Sequence, residues 1–130
     1  MEQRLNILLV DDQPDFIEPV AFWLESKGYQ VRSASSGQDA LRMIKEQLPD
    51  IVFLDIKMPV MDGVETLRHI RRINKQIPVI MITAYEHNEK FTEARQLGIA
   101  GFFYKKDNLD DLGRLIEPIL RAHKRKKESH

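Results

Sequence analysis

The sequence predicts an α/β protein: a parallel sheet with helices packed on both of its faces. Two observations predict it. Short apolar runs alternate with stretches of helical period, so that strand and helix follow each other five times along the chain. That order gives parallel strands joined by crossover helices. Four of the runs, at residues 7–10, 51–54, 79–82 and 102–104, are also continuously apolar, the pattern of strands buried on both faces.

The first run, Ile7-Leu8-Leu9-Val10, stops at Asp11-Asp12. Beyond it Phe16, Ile17, Val20, Trp23 and Leu24 recur at helical spacing, with Pro14 suited to a first turn and Gly28 to a C-cap. Pro19 removes a backbone donor inside that helix and predicts a late start or a kink. Residues 29–34 alternate, as a half-exposed edge strand does. Ser35 or Ser36 caps the second helix, whose buried stripe is Ala40, Leu41, Ile44 and Leu48. Asp62 with Glu65 forms a capping box before Val64, Leu67, Ile70 and Ile73. Asn88 opens a fourth helix carrying Phe91, Ala94 and Leu97 and closing on Gly98. Asp107 or Asn108 opens the fifth, with Leu109, Leu112, Leu115, Ile116 and Ile119 facing inward. Pro118 within it predicts a kink or a cost of roughly 3 kcal/mol. The stripe stops near Leu120, so residues 124–130 read as a polar basic tail or the start of a linker.

Composition narrows the class. A chain of 130 residues fits one domain. Hydrophobic and charged fractions of 42% and 31% belong to a globular protein, not a disordered one. A formal net charge of zero gives no global pull towards nucleic acid or an anionic membrane. Cysteine is absent, which excludes disulfides and thiolate metal sites. No apolar stretch approaches the roughly 18 residues of a membrane span, and the start is too short and too acidic for a signal peptide. The expected location is the cytoplasm, with no membrane partner. Arg68, Arg71, Arg72 and Lys75 read as a solvated face rather than a nucleic-acid surface, and His69, His87, His123 and His130 share no metal-ligand spacing.

The four apolar runs stop at Asp11-Asp12, Asp55, Thr83 and Lys105. In an open parallel sheet, ligands bind beyond the carboxyl ends of the strands. Neighbouring strands would therefore bring three carboxylates, a hydroxyl and an ammonium into one crevice. Each like-charged pair at about 4 Å costs about 4 kcal/mol at an effective dielectric near 20, so the cluster holds a proton or binds a cation. Oxygen donors alone suit a hard cation, Mg²⁺ before Mn²⁺ or Ca²⁺. A carboxylate can also be the nucleophile of an aspartyl-phosphate. Thr83 would then donate to a phosphoryl oxygen and Lys105 supply a point charge. Singly, each of these residues is as well explained as a turn, a cap or a loop position; their joint placement carries the argument.

Over nearly its whole length the sequence resembles the receiver domain of two-component response regulators, chemotaxis receivers included. Ile7-Leu8-Leu9-Val10-Asp11-Asp12 is similar to that family's first strand and acidic pair. Leu54-Asp55-Ile56-Lys57-Met58-Pro59-Val60-Met61-Asp62-Gly63 is similar to its phospho-acceptor segment, and Thr83-Ala84 and Lys105 stand where the family keeps its hydroxyl and lysine. The resemblance implies a flavodoxin-like doubly wound sheet of order 2-1-3-4-5 with five helices, residues 1–123 forming the receiver. It implies that Asp55 accepts a phosphoryl group from a histidine kinase, a phosphotransfer protein or a small phosphodonor. It implies Mg²⁺ held by Asp12 directly, Asp11 largely through water, Asp55, and the backbone carbonyl of Lys57. Lys105 pairs with the phosphoryl oxygens, Thr83 moves to bond one of them, and Phe102 follows as the aromatic switch. The readout surface is then helix 4, strand 5 and helix 5, facing a downstream protein or an attached output domain, in a monomer or a phosphorylation-dependent homodimer. Such a chain is a signalling switch with slow autodephosphorylation rather than an enzyme.

The chain departs from the family after its lysine, where Lys106 replaces a common proline, so a trans bond is expected there. Lys57 and Tyr85 border the site, and Tyr85 is bulky enough to hinder an attacking water. Lysine at position 57 weighs against an aspartyl-phosphate phosphatase, which needs a second carboxylate there. Asp11-Asp12-Gln13-Pro14 weighs against a flavin-phosphate loop.

Overall fold

A computed structural model describes residues 4–84 and 89–128. Its elements alternate as β1 (Asn6–Val10), α1 (Pro14–Ser26), β2 (Gln30–Ala34), α2 (Gly37–Glu46), β3 (Ile51–Asp55), α3 (Gly63–Ile73), β4 (Val79–Thr83), α4 (Lys90–Leu97), β5 (Gly101–Tyr104) and α5 (Leu109–Glu128). The strands form one parallel sheet in the order β2-β1-β3-β4-β5. This is the expected flavodoxin-like arrangement.

The period of two along each strand divides the core. Leu8, Val10, Val52, Leu54, Val79 and Met81 pack with residues of α2, α3 and α4, whereas Ile7, Leu9, Ile51, Phe53, Ile80, Ile82 and Phe103 pack with α1 and α5. The central strands β1, β3 and β4 are buried throughout, as their unbroken apolar runs require. The run at 102–104 differs: β5 is an edge strand, and of its residues only Phe103 is fully buried. The other edge is β2, half-exposed as its alternation predicts.

Local chemistry sets most helix starts. Ser36 Oγ accepts from the Asp39 N–H at 3.1 Å, Asp62 Oδ1 from the Glu65 N–H at 2.9 Å, and Asn108 Oδ1 from the Asp111 N–H at 3.3 Å. The expected late start of α1 is not found: Pro14 occupies the first turn, and the helix runs on through Pro19 to Ser26. Leu48 and Ile73 are exposed rather than buried, because α2 ends at Glu46 and α3 turns away at Asn74. The fifth helix passes through Pro118 and reaches Glu128, so most of the segment expected as a tail is helical. The start of α4 at Asn88 and the side chain of Tyr85 lie outside the described residues. Among those described there is no cis peptide bond, and no helix is long and apolar enough to cross a membrane.

The basic run ending α3 is not merely solvated. Arg71, partly buried, donates to the Gly98 carbonyl at 2.7 and 3.2 Å and to that of Ile77 at 2.8 Å. Its guanidinium is held below its ordinary value by burial. Arg68 pairs with Glu93, and Asp62 with Lys90, each at 2.8 Å. Three polar links therefore tie α3 to α4 and its closing glycine.

Candidate functional site

Beyond the carboxyl ends of β1, β3, β4 and β5 the chain leaves the sheet under control of its neighbours. The Asp11 N–H donates to the Ala34 carbonyl at 3.1 Å, that of Ile56 to Ile82 at 2.9 Å, and that of Lys105 to Thr83 at 2.8 Å. Each prolongs the ladder by one residue, which fixes where the side chains emerge. Here lies a crevice of about 550 Å³ with Asp12, Gln13, Asp55, Lys57, Met58, Pro59, Thr83, Ala84 and Lys105 on its walls.

Asp55 is 4% and Asp11 0% exposed, whereas Asp12 lies on the open rim. One carboxylate oxygen from each of the three falls within 4.8 Å of the others. Lys105 Nζ sits 2.8 Å from Asp11 Oδ2 and 3.4 Å from Asp55 Oδ2. Burial, then the charge of Asp11, push the Asp55 carboxyl up to about 7 against the pull of Lys105 and the Lys57 N–H. The Lys57 N–H reaches Asp55 Oδ1 at 3.3 Å, and that of Gln13 reaches Asp11 Oδ1 at 2.9 Å.

The donor set suits a hard cation. Asp11 Oδ2 is fully buried and has an ionic neighbour but no hydrogen bond of acceptable angle. A buried carboxylate oxygen is rarely left in that state, and a divalent ion reaching three oxygens would complete it. The residues present therefore fit Mg²⁺.

The loop after β3 is tightly folded. Gly63 has no room for a side chain, since a Cβ there would strike the Asp55 carbonyl, and its N–H donates to the Ile56 carbonyl at 2.7 Å. Val60 adopts φ 68° in a three-residue turn closed by the Met61 N–H and the Pro59 carbonyl at 2.9 Å.

Thr83, buried at the end of β4, lines the crevice with Asp12 and Asp55, and Lys105, after β5, reaches Asp11 and Asp55. Phe102 stands apart from the crevice lining. Its ring lies 4.3 Å from that of Phe91 on α4, with the Arg95 guanidinium 5.1 Å above it. Sequence reasoning missed Gln13, whose amide oxygen accepts from Lys105 Nζ at 2.6 Å. The available signal was its position: it follows the acidic pair and precedes a proline, where Gln is a poor helix cap.

A five-stranded parallel sheet of this order, with its polar crevice beyond the strand ends, places the chain in the flavodoxin-like fold class. The family model for the response regulator receiver domain matches residues 7–117, and the chain belongs to that family, whose domains serve two-component signalling. Transcriptional regulatory protein ZraR of Escherichia coli (strain K12) is 37% identical over 120 residues, 92% of this chain and 27% of ZraR. Sporulation initiation phosphotransferase F of Bacillus subtilis is 34% identical over 115 residues, 88% of this chain and 93% of that protein. A CheY-like receiver domain protein from Methanospirillum hungatei JF-1 superposes with a TM-score of 0.90 at 27% identity, covering 95% of this chain and 99% of its own. NtrX from Brucella abortus superposes at 0.88 with 32% identity, over 98% of this chain and 29% of NtrX. The chain thus spans about a quarter of the length of the transcriptional regulators it matches.

Proposed function

We propose that the chain is a phosphorylation-operated switch whose acceptor is Asp55. The observation that carries this reading is the placement of Asp55: buried, beside Asp11, with the Lys105 ammonium 3.4 Å from its outer oxygen. A carboxylate oxygen attacks the phosphorus of a phosphohistidine on a sensor kinase or phosphotransfer protein. The P–N bond breaks, and the imidazole nitrogen keeps the electron pair and takes up a proton. Small phosphodonors such as acetyl phosphate would serve in the same way.

Asp11, Asp12, Asp55 and the backbone carbonyl of Lys57 would hold Mg²⁺, which when bound supplies positive charge to the transferring phosphoryl group. Lys105 balances the new charge from the opposite side, and the Thr83 hydroxyl donates to a phosphoryl oxygen. Drawing Thr83 inward frees space for Phe102, and that shift reshapes the face of α4, β5 and α5. A downstream protein, or an output domain attached after a receiver unit spanning residues 1–123, would read that face. A phosphorylation-dependent homodimer would use the same face. We place this activity in the cytoplasm, and in a switch rather than an enzyme.

Intact mass after incubation with acetyl phosphate and Mg²⁺ tests the reading. Wild type is expected to gain one phosphoryl group, and Asp55→Asn none. A wild type that gains nothing from acetyl phosphate or from a phosphorylated transfer protein would sink it.

A further inference from the structure

The Lys105 ammonium is not centred on Asp55. Its hydrogen bond to Gln13 Oε1 measures 2.6 Å and that to Asp55 Oδ2 3.4 Å, and its approach to Asp11 Oδ2 is ionic only. On the same side the Phe16 ring lies 4.9 Å from Nζ, within cation–π range. Gln13 and Phe16 flank the start of α1, so the lysine is drawn towards that helix from across the crevice. An ammonium only donates, so the amide turns its oxygen to it. Gln13 itself is the N-cap residue of α1, yet its side chain makes no capping bond. Pro14, with no N–H to satisfy, relieves the helix start of one such need.

We infer that Gln13 is a positioning residue for Lys105, setting where the ammonium stands when Asp55 is phosphorylated. This rests on the phosphoryl-acceptor reading above. A flexible lysine stem has four carbons of freedom to lose. A short bond to a residue whose backbone is held at the start of a helix removes part of that freedom before the phosphoryl group arrives. The benefit appears in the transfer rate rather than in donor binding. Phe16 supplies the second wall of the cradle.

Two variants and two readouts decide it. Gln13→Met keeps the length of the side chain without the acceptor, and Gln13→Glu keeps an acceptor oxygen at the same reach. In metal-free protein, the Lys105 ammonium resonance, assigned with Lys105→Arg, is expected to exchange faster with solvent in Gln13→Met than in wild type or Gln13→Glu. With acetyl phosphate and Mg²⁺, Gln13→Met is expected to lower the saturating rate of mass gain roughly 3- to 10-fold, the worth of one short hydrogen bond. The half-saturating donor concentration and Tm should stay near wild type. Unchanged ammonium exchange in Gln13→Met overturns the inference. So does an equal loss of rate in both variants accompanied by a fall in Tm, which would mark a structural role. If wild type takes up no phosphoryl group, the acceptor reading fails, and the ammonium resonance still decides whether Gln13 holds Lys105.

Discussion

At the scale of single residues, Asp55 carries a stability cost tied to its function. Its carboxyl is raised from 3.8 to about 7, so the folded protein holds this proton more tightly than the unfolded chain. The associated stability is fully present below pH 3.8 and is lost as pH rises through about 7. In metal-free buffer, Tm is therefore expected to fall between pH 5 and 8. Asp55→Asn should flatten that slope and raise Tm at pH 8 by roughly 5 °C. A thermal melt series in chelator, with a slope unchanged by the substitution, would contradict this. Asp62 works in the opposite sense. Burial would raise its carboxyl, but the bond from Lys90 and the capping N–H hold it below its ordinary value. Its contribution is lost only on acidification, in a window that does not overlap that of Asp55 at neutral pH.

At the scale of elements, the β3–α3 loop and the α3–α4 links make the sharpest predictions. Gly63→Ala would push a methyl into the Asp55 carbonyl and should cost about 3 kcal/mol in urea denaturation, the upper end for overpacking. Arg71→Leu leaves the Gly98 and Ile77 carbonyls without their guanidinium and should cost about 1–3 kcal/mol. Amide exchange accelerated at α4 more than at α1 would place that loss. These elements also show what could be read beforehand. The central strands and their terminal Asp11, Asp55 and Thr83 were legible because an unbroken apolar run ending in a polar residue has few other folds. Leu48 is misjudged because helical period continues on paper past Glu46, where α2 ends, and Ile73 because it is the last residue of α3, where the chain turns away. Arg71 and Gln13 were missed for a different reason. Partners of theirs include a carbonyl 27 residues away and an ammonium 92 residues away, and the one local hint is the place of Gln13, a poor cap ahead of a proline.

At the scale of the whole molecule, one sheet separates two apolar layers, and the acidic crevice sits at its carboxyl edge. Mg²⁺ that binds the folded crevice and not the unfolded chain should stabilise the entire domain, by about 2.7 kcal/mol at a hundred times its Kd. The same addition should leave Asp11→Asn nearly unmoved, and calorimetry with and without Mg²⁺ reads both. The layering also determines what an optical experiment on this protein can report. Its single tryptophan, Trp23, lies in the α1–α5 layer, pressed against Gly113 with the Lys27 ammonium 5.3 Å from its ring. Of the proposed readout face, α5 borders Trp23, whereas α4 packs in the other layer. Intrinsic fluorescence will therefore follow unfolding faithfully and stay nearly silent when the α4 surface rearranges. A chromophore meant to follow the α4 part of that face has to be introduced on the opposite side of the sheet.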